Sequence, residues 1–469
     1  MKLSLNKGYL VTENLKVLGL RDIILYTVSA MLFMDQIALA SSLGSTSLFW
    51  WGYVLAFLFV PLSMITAELG TTFPENGGLC QWVRHAFGDR WAARVSWCYW
   101  FNGVIWMPSV FILFAGMLSE LFFPELGLWA KVAIGIILAL ITAFCNIISL
   151  EIGKWLPNIG ATLKLICVLA LGIGGINYGL KNGFANDLSW DAIVPSTGYA
   201  IAAMGVMAYG VLGTEVVCNC AGEMANPKRD LPRALLISGL IIGSFNVLGT
   251  LGVLSAVPVE QAKVTQIFTK SLMNMYGETG VGYAFAVLIA CFVLFTMFTN
   301  MVTWSMGTNR AAASAAQSNE FPKAFGIVHS KYKTPVGSSV IAAVLSCLLL
   351  ITFGLVANTA EELFWALMSF FAVIFLLPYV VMPLAFAKLR FSESKKRPFK
   401  MPVSNSIALL IAVFLSLNII AAIILFIYVP GEPINWPFLI QIMTGVLLTL
   451  TYGEFMIINQ EKKSQRQNG

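Results

Sequence analysis

Three ionisable side chains stand inside runs apolar enough to cross a membrane, and any chemistry in this chain has to begin with them. Asp35 lies about 12 residues into the apolar run 23–44, which contains Tyr26-Thr-Val-Ser-Ala-Met-Leu-Phe-Met-Asp-Gln-Ile-Ala-Leu-Ala-Ser-Ser-Leu-Gly44, or roughly 18 Å along a helix. A carboxylate at that depth costs at least ~2.5–3.5 kcal/mol, so it must face protein or water. It reads either as the anionic partner of an ammonium group or proton carrier, or as a hydrogen-bonded packing acid. Glu215 follows Gly205, Gly210 and Gly213 in a second glycine-loosened run. It is either part of a gate or coupling device, or an acceptor for the exposed backbone of a broken helix. Lys164 lies one or two turns into another run. Its stem can snorkel to the interface, or its ammonium can serve as a fixed or titrating cation. Glu68, just before Gly70, is expected to be a structural or gate acid rather than a ligand.

Aromatic faces attract cations by about 0.5–2 kcal/mol each. Phe33, beside Met34, together with Trp106, Tyr209 and Trp304, could wall a site for an ammonium substrate. Each equally fits packing or a lipid-facing position, because 13% of the chain is aromatic.

Composition sets the medium. Of 469 residues, 58% are hydrophobic and only 11% charged, with a mean hydropathy of +0.80. Soluble domains carry about 25% charged residues, so this is a polytopic membrane protein. A net charge of +6 is too small to argue for nucleic acid and is first explained by topology. The eight cysteines fall mostly in apolar runs and imply no disulfide framework. Cys218-Asn-Cys220 lacks zinc-site spacing, so no metal or other cofactor is expected. No apolar segment with a cleavage site opens the chain, and no removed signal is expected.

Runs of about 17–25 apolar residues give twelve spanning helices. They cover 23–44, 48–68, 92–119, 128–150, 157–178, 199–219, 233–257, 281–305, 338–356, 363–387, 405–429 and 436–457. The sixth run should end in a charged loop broken by Pro227 and Pro232. Residues 76–88 are too short to span and should lie along the interface, and 306–337 should be a polar re-entry. With the N-terminus inside, one side receives Arg21, Arg84, Arg90, Arg94, Lys154, Lys228, Arg229, Arg310, Lys323 and the Lys388–Lys400 cluster. The other side keeps little beyond Lys131, Lys181, Lys263 and Lys270 among acids such as Glu120 and Glu361. Both termini are therefore expected in the cytoplasm. Helices 1 and 6 both have interrupted, polar centres. Interruptions five helices apart point to two inverted five-helix repeats.

The expected fold is thus an all-α polytopic membrane protein of twelve transmembrane helices. Residues 1–22 form a cytoplasmic segment, 23–178 the first repeat and 199–387 the second. Two extra helices occupy 405–457, and 458–469 form a cytoplasmic tail.

Three separated motifs carry a resemblance over nearly the whole chain. Ala67-Glu-Leu-Gly-Thr-Thr-Phe-Pro-Glu-Asn-Gly-Gly-Leu-Cys-Gln-Trp-Val83 resembles the helix 2 to helix 3 signature of the amino acid, polyamine and organocation transporters. Gly222-Glu-Met-Ala-Asn-Pro-Lys-Arg-Asp-Leu-Pro-Arg-Ala-Leu235 resembles their helix 6 to helix 7 loop. Gly307-Thr-Asn-Arg-Ala-Ala-Ala-Ser-Ala-Ala-Gln-Ser-Asn-Glu-Phe-Pro322 resembles the segment after helix 8. Two branches are most similar. The helix 1 to helix 3 region is similar to the glutamate/GABA antiporters, and Phe73-Pro-Glu-Asn-Gly-Gly78 to the polyamine uptake transporters. The resemblance implies the five-plus-five repeat fold with broken helices 1 and 6, and substrate held between helices 1, 3, 6, 8 and 10. It also implies the family's helix 6 acid at Glu215, and at Lys164 the lysine that replaces a sodium ion in some members. One departure matters. Many members break helix 1 with Gly-x-Gly, whose free N–H groups bind an amino-acid carboxylate, whereas this chain reads Phe33-Met-Asp-Gln-Ile-Ala-Leu-Ala. That favours a substrate with a positive end.

The sequence holds no phosphate-binding loop, no His-Glu-x-x-His and no membrane-embedded Ser/His pair. It therefore reads as a gradient-driven permease of the cytoplasmic membrane, moving an amino acid, or an amine or polyamine derived from one, by exchange or with protons. Asp35 would pair with the substrate, and Phe33, Met34, Trp106, Tyr209, Gly210, Gly213, Glu215 and Trp304 would line the site. Lys164, Glu215 and Glu68 would serve coupling or gating. The rival from another class is a membrane nutrient sensor that binds without turnover.

Overall fold

The computed structural model describes residues 19–73, 78–148, 152–224, 226–392 and 396–468. The expected N-terminal segment up to residue 18, and residues 74–77 of the first family motif, lie outside them, as do the side chains of Lys154 and Glu223.

Among the described residues, eleven helices are long and apolar enough to cross a membrane, and one bent pair supplies a twelfth crossing. That pair is α1, whose halves Leu20–Met31 and Met34–Ser42 meet at 50°. Then follow α2 (Thr46–Thr72), α3 (Asp89–Phe122), α4 (Leu128–Ile148) and α5 (Ile152–Asn182). The second series comprises α6 (Gly198–Cys218), α7 (Pro227–Ala256), α8 (Gly280–Gln317), α9 (Val336–Gly354) and α10 (Ala360–Ser392). Two more, α11 (Asn405–Ile427) and α12 (Trp436–Asn468), close the chain.

Packing relates the two series of five. α3 packs on α10 as α8 packs on α5, α1 on α7 as α6 on α2, and α3 on α4 as α8 on α9. Each pairing becomes its counterpart when helices 1–5 exchange places with helices 6–10. An odd number of crossings per series sets the two halves in opposite directions, as in an inverted repeat. α11 packs on α6 and α10, and α12 on α10 and α3, outside this core.

Glycine decides how closely the helices approach. A Cβ on Gly175 of α5 would stand 1.9 Å from the Gly252 carbonyl oxygen of α7, and one on Gly252 would stand 2.2 Å from the Leu171 oxygen. Backbone lies on backbone at this crossing, the small-residue contact that lipid-embedded helices favour.

Several boundaries differ from expectation. The helical part of α6 stops at Tyr209, and Gly213, at φ +110°, turns the chain into a 3-10 helix, Thr214–Glu223. Pro227 and Pro232 do not break that helix. Pro227 is the first residue of α7, where proline's missing N–H costs nothing and its fixed φ suits a helix start, whereas Pro232 stands inside the same helix, which runs on through it. α8 continues about three turns past the expected 305, so the polar re-entry begins only after Gln317. Ala311–Ala316 is nearly all small, strongly helix-forming residues, and propensity outweighs polarity there. Within 76–88, the segment expected to lie along the interface, Gly78–Phe87 is a helix of 10 residues.

Candidate functional site

The two helix breaks build the site, and side chains from other spans hold both of them open. In an α-helix each N–H bonds the carbonyl four residues back, so unwinding at Leu32–Phe33 orphans the carbonyls of Ser29 and Ala30. Lys164 Nζ donates to the Ser29 oxygen at 3.1 Å, and Trp304 Nε1 to the Ala30 oxygen at 3.1 Å. In α6, Gly210 N–H turns to Met207 instead, which frees the Val206 carbonyl. Gln36 Nε2 donates to that oxygen at 3.0 Å. Gln36 lies so close to Gly210 that a Cβ there would sit 2.3 Å from Nε2. Unsatisfied carbonyls in an apolar interior cost several kcal/mol each, so these three donors are what make the interruptions tolerable.

Asp35 lies in the first turn of the second half of α1, 3% exposed. Its Oδ2 accepts from the Tyr209 hydroxyl at 2.8 Å and from Trp106 Nε1 at 3.2 Å. Its position near a half-helix N-terminus also suits a negative charge. Around it is an aromatic enclosure. Phe33 stands 5.0 Å from Trp106 and 5.8 Å from Trp304, Trp106 and Trp304 are 5.6 Å apart, and Phe371 stacks on Trp106 at 5.7 Å. Tyr209 meets Phe371 edge-on at 5.5 Å. These faces come from α1, α3, α6, α8 and α10. Met34 is buried beside Phe33 but makes no polar contact among those described.

Glu215 opens the 3-10 segment and is buried. Its Oε1 accepts from the Tyr379 hydroxyl of α10 at 2.8 Å and from Tyr99 of α3 at 3.3 Å, while Oε2 has no partner among the described residues. The Thr214 and Thr66 hydroxyls lie 2.8 Å apart, tying the same segment to α2.

Lys164 does not snorkel. It is 3% exposed, with Nζ bonded inward to Ser29 and, at 2.9 Å, to Asn300 Oδ1. A cavity of about 810 Å³ reaches it, running between the first half of α1, α5 and α8, with Trp304 at its inner wall. Lys164 Nζ lies 5.8 Å from the centre of the Phe33 ring.

Glu68 stands apart, fully buried at the end of α2. It accepts from Arg390 at 2.8 Å, from Arg397 at 2.9 Å and from the Met401 backbone N–H at 2.8 Å.

The structure brings Asp35, Phe33, Trp106, Tyr209 and Trp304 together, and sets beside the expected residues Gln36, Tyr99, Asn300, Phe371, Tyr379 and the two arginines, which sequence reasoning did not name. Gln36 had a local signal, a second polar residue beside Asp35. The others sit in apolar or charged runs where nothing in the spacing marks them.

Two interrupted spans, crossing in opposite senses and folded around a buried acid in an aromatic enclosure, define a secondary transporter, in which a midplane site is exposed alternately to either side. The chain belongs to the amino acid permease family, whose model matches residues 18–448. It is 30% identical to a probable agmatine/putrescine antiporter of Lactococcus lactis, over 92% of this chain and 93% of the relative. It is 26% identical to the cadaverine/lysine antiporter of Escherichia coli, over 72% of this chain and 75% of that one. A probable polyamine transporter of Arabidopsis thaliana matches at 26% over 46% of this chain and 43% of its own. These relatives are transporters rather than enzymes, and the sensor reading finds no support among them.

Proposed function

We propose that this secondary transporter of amino acids or amines is an exchanger whose substrate is an amine derived from an amino acid, held by its ammonium or guanidinium end against Asp35. One observation carries the reading. A carboxylate 3% exposed, fixed by Tyr209 and Trp106, forms the anionic centre of a cage of Phe33, Trp106, Tyr209, Trp304 and Phe371. A buried carboxylate ringed by π faces favours a cation over any neutral or anionic ligand. The likeness to an agmatine/putrescine antiporter over nearly the whole chain supports the same choice.

Entry and exit follow from the breaks. The halves of α1 and α6 tilt while α3, α5, α8 and α10 hold the frame. Glu215, tethered to Tyr99 and Tyr379, closes one side of the cage, and Trp304 with Phe33 closes the side of the large cavity. The lysine and arginine distribution supports a cytoplasmic-membrane location with both termini, and this cavity, facing the cytoplasm. Gradient-driven exchange fits the inventory, with the counter-substrate or protons as the driving ion.

The test is flux of labelled agmatine, putrescine and cadaverine into proteoliposomes, with and without amine inside. Stimulation by internal amine supports exchange. Asp35→Asn keeps the side chain's shape but removes its charge. A hydrogen bond to a charged group contributes about 1.5–3 kcal/mol, so apparent affinity should fall by roughly one to two powers of ten. Unchanged affinity in this variant refutes the pairing.

A further inference from the structure

On the outer side of the bundle, away from the substrate cage, α3, α10 and α12 leave a groove between them. It holds about 700 Å³, the size of a small-ligand pocket. Trp91 and Val95 of α3, Pro378 and Val381 of α10, and Leu450 and Ile458 of α12 line it. Trp97 joins α12 to α3 alongside. Its Nε1 donates to the Thr449 carbonyl at 2.9 Å, and a Cβ on Gly453 would sit 2.4 Å from its indole. The space beside this contact stays unfilled, and Trp91 and Phe455, 43% and 62% exposed, open it to the surface. From Leu450 to Ile458 the groove follows α12 for roughly 12 Å. One leaflet supplies half of a ~30 Å hydrocarbon core, so the groove runs through most of one leaflet.

An apolar groove alone would accept any lipid tail, and the charges beside it narrow the choice. Its lining carries two charged residues, Arg94 and Glu454. Glu454 accepts from Arg94 Nε at 2.8 Å and from a second Arg94 nitrogen at 3.0 Å, and also from Arg90, one turn earlier. A guanidinium has five N–H donors, and a carboxylate has about four acceptor sites. Glu454 therefore cannot satisfy both arginines, whose side chains are partly exposed. Lys388 extends the cluster. Its Nζ lies 5.0 Å from the Phe87 ring centre, Phe87 lies 6.3 Å from Trp91, and the Arg94 guanidinium sits 4.8 Å over Trp91. Two cations thus bracket an aromatic pair, the arrangement that suits a membrane–water interface. Lys462 and Lys463 follow, exposed, toward the end of α12. Against these cations stand Glu454 and Glu461, while Asp89, next to Arg90, is drawn to Arg84 at 3.0 Å. Positive charge is in excess where the three helices leave the membrane.

We infer that this groove is a binding site for a phospholipid with a net negative headgroup, its phosphate on Arg90 and Arg94 and one acyl chain against Pro378, Val381 and Leu450. Basic recesses between spanning helices on the positively charged face hold anionic headgroups, and each buried methylene adds to the attraction. A second copy docked here about a twofold axis would bring the same basic helix ends against these, which like-charge repulsion opposes. The site does not depend on which amine is carried, and its leaflet follows from the orientation proposed above.

Native mass spectrometry of the full-length protein tests this. The protein is released from a mild detergent holding equal amounts of phosphatidylglycerol and phosphatidylcholine with identical chains. Wild type should retain phosphatidylglycerol about tenfold more. Arg90→Gln/Arg94→Gln/Glu454→Gln removes the cations together with their acid, so no charge is orphaned, and should bring the ratio within about twofold of one. Leu450→Trp fills the groove, leaves the charges in place and should reduce retention of both lipids. Equal retention of the two lipids by wild type, or an undiminished preference in the triple variant, would overturn the headgroup assignment. Undiminished retention in Leu450→Trp would overturn the groove as the seat of the chain. Glycerol phosphate, a headgroup without tails, should not compete, and displacement by it would mark a free-anion site and overturn the proposal. A disulfide formed between two copies through Ile458→Cys in native membranes would show that a second copy covers the groove, and would overturn it equally. None of these outcomes bears on the amine reading, which Asp35→Asn tests separately.

Discussion

Glu68 offers the sharpest test of how the bundle is tied together. Its carboxylate is fully buried and receives Arg390, Arg397 and the Met401 N–H, while the two arginine side chains are 1% and 8% exposed. The three donors come from the end of α10 and from the segment leading to α11, so one acid on α2 fixes the entire turn. Glu68→Ala leaves two buried guanidiniums facing each other without their anion. Removing one partner of a buried pair costs about 3–5 kcal/mol, roughly two to three and a half powers of ten in the folded-to-unfolded ratio. Arg397→Ala leaves Glu68 its bonds to Arg390 and Met401, and should cost about 1.5–3 kcal/mol. The double variant should fall short of the sum by ~1 kcal/mol or more, because the second truncation removes a charge that the first has already orphaned. Unfolding of the purified protein in detergent, for wild type, both single variants and the double, gives the cycle. A loss below about 1 kcal/mol for Glu68→Ala, or strict additivity, refutes this account.

Two further outcomes follow from packing and charge. Gly175→Ala should destabilise by about 1–3 kcal/mol and disturb the α5–α7 contact, since its Cβ meets a backbone oxygen that cannot move aside; a cysteine crosslink across this crossing should form more slowly in the variant, and an unchanged unfolding temperature would contradict the close approach. Glu320 lies beyond the end of α8, beside Arg84 of the interfacial helix, and burial lifts its carboxyl above the ordinary 4.5, against the opposing pull of Arg84. The fold therefore holds that proton more tightly than the unfolded chain does. Its contribution is fully present below pH 4.5 and is lost as pH rises through the raised value. Glu320→Gln should flatten this decline in a pH series of unfolding temperatures, and identical slopes would exclude it.

The sequence by itself determined that this chain lives in a membrane, where its twelve spans run, and that α1 and α6 are the unusual ones. Apolar runs and a few isolated charges suffice for that, because lipid forbids uncompensated polarity whatever the neighbours are. It also determined that Asp35 must face protein or water, for the same reason. It could not place the break in α1, where neither glycine nor proline stands at Leu32–Phe33. That break exists because Lys164 and Trp304, more than 130 and 270 residues away in sequence, take the carbonyls it exposes. Nor could it decide whether Lys164 snorkels, since stem length permits either direction and only Ser29 and Asn300 choose inward. The partners of Glu215 and Glu68 likewise come from distant spans whose own sequences are ordinary. Insertion energy is a property of one segment and can be read from it, whereas a hydrogen bond across the bundle belongs to two segments and appears only when the fold brings them together.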